Sequence, residues 1–364
     1  MIPVSRPTFG PEEEAAVLEV MRSGRFAQGQ RVRAFEEAFA EATGASFAVA
    51  ISSGSTALLV ALLAHGIGPG DEVITSPLTF IATANAIVQA GARPVFADVD
   101  ESLDLDPAAV ERLISPRTRA IVPVHLHGNP CDLRALGQVA EEHGLVLVQD
   151  ACQAVGATVG GLPLGALGTA VYSFYATKNL TTGEGGIVTS DDAAVAGRCA
   201  SLRHQGYTSR AYVHDRVGYN FRMTEMQAAI GLVQLRKLGA VNERRRWIAA
   251  YYDEMIPAGR FERPRVARDA CHVYHQYTLR LPAAGANGSA GIRRDAIRAA
   301  LAEAAVGTGV YYPVPLHRQP AYRDSCGVSC PNAERAAEDM FSIPVHHSLE
   351  DAEVETVAVA VSRL

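Results

Sequence analysis

Seven short runs of strand type recur through the first half of the chain, most of them separated by stretches of helical character. They read "FAVAIS", "EVITS", "PVFADV", "AIVPVHL", "LVLVQD", "AVYSFYA" and "GIVTS". Parallel strands need a crossover of a dozen or more residues, so this rhythm predicts an α/β fold, a largely parallel sheet with helices on both faces. Sheets of that kind take ligands beyond the carboxyl ends of their strands. Two amphipathic helices, "PEEEAAVLEVMRSG" and "QRVRAFEEAFAEATG", precede the first strand, and each ends at glycine.

The pattern changes after "MTEMQAAIGLVQLRKLGAVNERRRWIAAYYDEM", which predicts a long helix from about residue 223 to 255, interrupted near Gly239. Beyond it come a strand, "HVYHQYTLRL", a loop over 282–291, a helix, a proline-rich segment and a last helix. These make a smaller α+β lobe. A chain of 364 residues, 48% hydrophobic, exceeds the usual size of one core, so two domains are expected, 1–245 and 246–364.

The net charge of −6 is small for this length, and acids and bases are interspersed. No nucleic-acid partner is expected from such a surface. The start, "MIPVSRPTFGPEEEAAV", has neither a basic nor an apolar leader segment, and no run approaches the roughly 18 apolar residues of a membrane span. A cytoplasmic protein without a membrane partner is expected. Cysteines 131, 152, 199, 271, 326 and 330 are scattered without metal-finger spacing, which favours free thiols and no metal site.

Three motifs carry chemistry. In "ISSGSTALLVALLAHG" the small residues Ser52, Ser53, Gly54, Ser55 and Thr56 stand between a strand and an apolar helix. They read either as an ordinary N-cap or as a site where helix N–H groups meet one phosphate. "LVLVQDACQA" ends a buried strand on Asp150, a second N-cap candidate or a carboxylate that needs a cation or donor. "SFYATKNLTTGEGG" delivers Lys178 after the next strand, with Ser173 and Thr177 nearby and a compact glycine turn behind it. A lone lysine is ordinarily solvated. Together, however, a phosphate cradle, a carboxylate and a lysine at successive strand ends are what pyridoxal phosphate (PLP) requires: covalent capture by the lysine, charge on the pyridine nitrogen from the carboxylate, and donors for the phosphate.

The runs "SGSTAL", "GIGPGDEVITSPLTFIATANAI", "GARPVFADVD", "AIVPVHLHGNPCDL", "QDACQAVGA", "SFYATKNLTTGEGG", "GYNFRMTEMQAAIG" and "YYPVPLHRQPAY" stand in the order seen in the DegT/DnrJ/StrS family of PLP-dependent aminotransferases, which the chain resembles over nearly its whole length. The resemblance implies the fold-type I architecture, a homodimer, and amination of keto groups on nucleotide-linked sugars or cyclitols. It makes Lys178 the lysine that binds the cofactor and Asp150 the partner of the ring nitrogen. Gln153 is implied beside the ring's 3-oxygen and Phe80 on the ring face. Gly54, Ser55 and Ser173 are implied at the phosphate, with Asn220 reaching it from the second subunit.

The chain departs from the family where "QDACQ" replaces the common "EDAAQ" and "SGS" replaces "SGT". Gln149 thereby removes a negative charge expected near the cofactor, and Cys152 reads as a small buried filler. Arg222 is open to two roles, a fork for the donor carboxylate or a structural ion pair near the dimer seam. His125, His127 and His317 read as orienting or substrate-facing groups. The expected activity moves an amine from glutamate or glutamine to a keto-sugar nucleotide. A keto-cyclitol aminotransferase, a PLP-dependent sugar dehydratase and a silent PLP-binding regulator are the alternatives, with lysine in place of the dehydratases' histidine favouring amino transfer.

Overall fold

The computed structural model describes residues 1–208, 210, 212–282, 290–325 and 328–364. Most of the loop expected over 282–291, and Cys326, lie outside the described residues; Cys131, Cys152, Cys199, Cys271 and Cys330 are free thiols. No helix among the described residues is long and apolar enough to cross a membrane.

All seven strand signals fall in one sheet: β1 (Phe47–Ile51), β2 (Glu72–Thr75), β3 (Arg93–Phe96), β4 (Thr118–Val122), β5 (Val146–Asp150), β6 (Thr169–Ser173) and β7 (Gly186–Ser190). Their spatial order is β1-β7-β6-β5-β4-β2-β3. Neighbours from β3 through β6 run parallel, and β7 is antiparallel to both β1 and β6. The exception follows from the connection, because no helix intervenes between β6 and β7 and the chain turns straight back.

Side chains alternate across the sheet, and both faces are covered. Val49, Ile51, Val148, Val171 and Val188 pack on one side against α3 (Gly54–Ala64), an apolar helix buried nearly all round, and against the helix Ala193–Arg203. Ala50, Ala170, Tyr172 and Ile187 face the other side, where α1 (Pro11–Ser23) is followed by α2 (Gln30–Thr43), whose Val32, Phe35 and Phe39 close the core. Phe35 and Phe39 meet Phe174 edge-on, with ring centroids 5.3 and 5.4 Å apart. That contact fixes the chain as it leaves β6.

The helix Glu225–Met255 runs unbroken through Gly239, contrary to the interruption read from the sequence. A glycine costs a helix only about 1 kcal/mol, and the flanking turns are held by packing on both sides. Ala228 belongs to the core under the large sheet, whereas Ile248, Ala249 and Tyr252 belong to a separate cluster with Tyr277, Leu279, Phe341, Ile343 and Val357. That cluster surrounds an antiparallel pair, β8 (Tyr277–Arg280) and β9 (Met340–Ile343). We propose a domain boundary near residue 245, within this helix, because the side chains change core there. The first residues return to the C-terminal cluster, as Ile2 packs on it and pairs with Val306.

Candidate active site

Several connections at the carboxyl ends of the strands open on one cavity of about 480 Å³. Ser53, at the end of β1, is the N-cap of α3, and its Oγ accepts the N–H of Thr56 at 3.2 Å. The N–H groups of Gly54 and Ser55 then have no acceptor among the described residues, and both residues line the cavity. Ser53 thus caps the helix, while its neighbours keep two donors turned to no acceptor among the described residues. Gly54 has no room for a side chain, since a Cβ would lie 2.6 Å from Cβ of Ser173.

Asp150 closes β5 with 4% of its surface exposed. Its Oδ2 accepts the hydroxyl of Thr83 at 2.8 Å and its Oδ1 accepts the N–H of Cys152 at 3.2 Å. Thr83 comes from α4 (Ala82–Gln89), just behind Phe80, whose ring lines the cavity and is 59% exposed. Gln149 does not lie beside this cavity, contrary to the sequence reading, because alternation along β5 turns it to the opposite face. There its Oε1 accepts from Nε2 of His125 at 3.2 Å, and its Nε2 donates to the carbonyls of Leu164 and Leu167 at 3.2 and 3.0 Å. His125 Nδ1 accepts the N–H of Cys131 at 3.0 Å, which leaves the proton on Nε2. The amide thus completes a neutral network around an imidazole that burial pushes down to about 4.

Lys178 lies in the turn between β6 and β7, on the cavity wall. Its ammonium has no hydrogen bond or ion pair among the described residues. Burial lowers its pKa, against the opposing pull of Cys152 and Asp150. The next residue anchors the turn: Asn179 Nδ2 donates to Oδ1 of Asn242 at 2.8 Å and to the carbonyl of Val273 at 2.9 Å. Ser173 and Thr177 line the same cavity. Cys152 does too and is half-buried rather than a buried filler; burial and then Asp150 hold its thiol well above the ordinary range.

Gln153 also lines the cavity. Its Oε1 accepts the N–H of His127 at 2.9 Å and its Nε2 donates to the hydroxyl of Tyr312 at 3.0 Å, so one amide hydrogen stays free. Tyr312 stacks on His127, with centroids 6.3 Å apart. Both residues have positive φ, 59° and 58°, a costly conformation for side chains of this size that tends to gather at functional sites. His317 is turned to Glu334, 2.8 Å from its Nε2, and lies outside the cavity wall.

Arg222 does not line this cavity, and neither does Asn220, which the resemblance assigns to the phosphate of the second subunit. Arg222 reaches Nδ1 of His204 at 2.8 Å and forms no ion pair with a carboxylate among the described residues. Asn220 is exposed, paired through its backbone with His204. Conversely, Thr83, His275, Gln276, Tyr311 and Tyr312 line the wall without having been singled out. Thr83 could have been found by helical spacing, three residues beyond Phe80. The others come from a distant part of the chain with no strand-end signal.

The cavity matches PLP in its open features: two free helix N–H groups, a buried carboxylate, an unpaired lysine and an exposed aromatic face. The architecture is that of fold-type I aminotransferases. The chain belongs to the DegT/DnrJ/EryC1/StrS aminotransferase family, whose model matches residues 7–362. It is 41% identical to the spore coat polysaccharide biosynthesis protein SpsC of Bacillus subtilis, over 99% of this chain and 96% of that one. Among solved structures, S. venezuelae DesV in complex with a ketimine intermediate superposes with a TM-score of 0.91 at 40% identity, over 97% and 94% of the two chains. The sugar aminotransferase CalS13 from Micromonospora echinospora gives 0.92 at 31% identity over the whole of both. Spr1654 from Streptococcus pneumoniae, in its PLP form, gives 0.92 at 28% identity over 100% and 98%. The protein is therefore a transaminase.

Proposed function

We propose that the protein moves an amino group from glutamate to the keto group of a nucleotide-linked keto-deoxysugar, with PLP as cofactor, in amino-sugar biosynthesis. The observation that carries this reading is the meeting of Lys178 and Asp150 in one cavity with the free N–H groups of Gly54 and Ser55. The relatives that act on sugars, or are named for polysaccharide synthesis, support the acceptor class.

Bound there, PLP supplies an aldehyde for covalent capture and a ring that draws electron density from the donor's α-carbon. Gly54, Ser55 and Ser173 hold its phosphate at the positive end of α3. Asp150, kept in place by Thr83 and Cys152, holds a negative charge for the ring nitrogen. Gln153 offers its remaining amide hydrogen to the ring's 3-oxygen, and Phe80 covers one face against water. Lys178 has an amine that burial biases towards its neutral form, suited to taking a proton from the donor α-carbon.

Asn220 completes the phosphate site of a second subunit in a homodimer, in keeping with its exposure and its absence from the lining of its own chain's cavity. Incubating the holoenzyme with glutamate and a panel of keto-sugar nucleotides and keto-cyclitols, with mass spectrometry of the products, tests the reading. Aminated sugar nucleotide with matching 2-oxoglutarate is the expected outcome. Loss of water without amine transfer, or aminated cyclitol alone, overturns it.

A further inference from the structure

His275 and Gln276 on the cavity wall come from "HVYHQ", residues 272–276, which the sequence places in a strand but which docks on the turn after β4 instead. Val273 N–H donates to the carbonyl of Gly128 at 3.1 Å and Gln276 N–H to that of His127 at 3.2 Å. Arg245 Nη1 holds the carbonyls of Tyr274 and His275 at 2.9 and 3.3 Å, and Tyr274 sits at φ 45°. This effort fixes His275 on the cavity wall with Lys178 nearby.

His275 is 8% exposed, and neither ring nitrogen has a hydrogen-bond partner among the described residues. Nδ1 is sealed, whereas Nε2 is not and keeps access to the cavity. A buried N–H without an acceptor is rarer than a buried lone pair without a donor, so the proton belongs on Nε2. Burial, reinforced by Lys178 and Arg245, keeps the ring neutral. A neutral donor is poorly suited to a donor amino acid's carboxylate, which cationic forks hold better, and well suited to an uncharged oxygen.

Resting on the function proposed above, we propose that His275 is a specificity-determining residue whose Nε2–H donates to a hydroxyl or carbonyl oxygen of the keto acceptor and serves only the acceptor half of the reaction. The two halves are separable by rapid mixing of holoenzyme, following cofactor absorbance with glutamate, and then following the aminated enzyme with dTDP-4-keto-6-deoxyglucose or scyllo-inosose. In His275→Phe the acceptor half should slow about tenfold in its second-order rate constant, the effect of one lost hydrogen bond, with the donor half within about twofold. His275→Gln, whose amide nitrogen stands near the place of Nε2, should recover to within about threefold, and His275→Asn should not.

Equal losses in both halves, no loss in either, or recovery by Asn in place of Gln overturns the assignment. Should the Phe variant fail to fold, the Gln and Asn comparison decides alone. A wild-type enzyme that takes amine from glutamate yet aminates neither probe contradicts the acceptor reading itself, and the assignment falls with it.

Discussion

Asp150→Asn isolates charge from geometry at this site. The carboxylate oxygens take one donor each, the hydroxyl of Thr83 at 2.8 Å and the N–H of Cys152 at 3.2 Å. An asparagine can keep Oδ1 on Cys152 and offer Nδ2–H to Thr83, because the Thr83 hydroxyl has a second acceptor in the carbonyl of Phe80 at 3.2 Å. No buried group is stranded, so the apo variant should melt within about 1 °C of wild type, a change of less than about 1 kcal/mol for a chain of this length. What disappears is the charged hydrogen bond to the ring nitrogen, about 3 kcal/mol, or roughly a 150-fold slower donor half-reaction. Single-turnover absorbance with glutamate at saturating cofactor measures it. A rate within about threefold of wild type, roughly 0.6 kcal/mol, would refute the role of the charge, and a large fall in melting temperature would refute the rearrangement.

Lys178→Met should abolish activity yet stabilise the apo protein at neutral pH by about 1 kcal/mol, since it removes an unpaired, partly buried ammonium. The lowered pKa sets the sign with pH: between that value and 10.5 the unfolded chain binds more protons, so wild-type stability rises with pH and the gap to the variant closes, as melting curves across the alkaline range will register. Lys178→Ala and Asn220→Asp, each nearly inactive as homodimers, should recover roughly a quarter of wild-type activity when mixed, because about half the dimers are heterodimers with one intact site each. Activity that stays at the single-mutant level, with heterodimers confirmed by native mass spectrometry, places Asn220 outside the partner's site.

The sheet was legible in sequence because its strands are buried on both faces and carry strong local signals: each of the seven runs, from "FAVAIS" to "GIVTS", contains most of a strand. Residues at strand ends inherited that legibility, and Gly54, Ser55, Phe80, Asp150, Gln153, Ser173 and Lys178 all line one cavity. Local patterns misled where tertiary contacts decide. Gly239 looked like a helix break but is carried through by a helix packed on two cores. Gln149 sits beside Asp150 in sequence yet faces away from the cavity, and "HVYHQ" is held by carbonyls of residues 127 and 128 that no periodicity links to it. Asn220 is exposed and does not line its own chain's cavity, so the single chain gives it no pocket to fill.

Borohydride reduction of the purified holoprotein, followed by peptide mapping, bears most directly on the claim that Lys178 captures PLP. A phosphopyridoxyl group on the peptide containing Lys178, and loss of that adduct in Lys178→Ala, is the expected result. An adduct on another lysine, or none from protein that binds the cofactor and transaminates, would contradict the assignment.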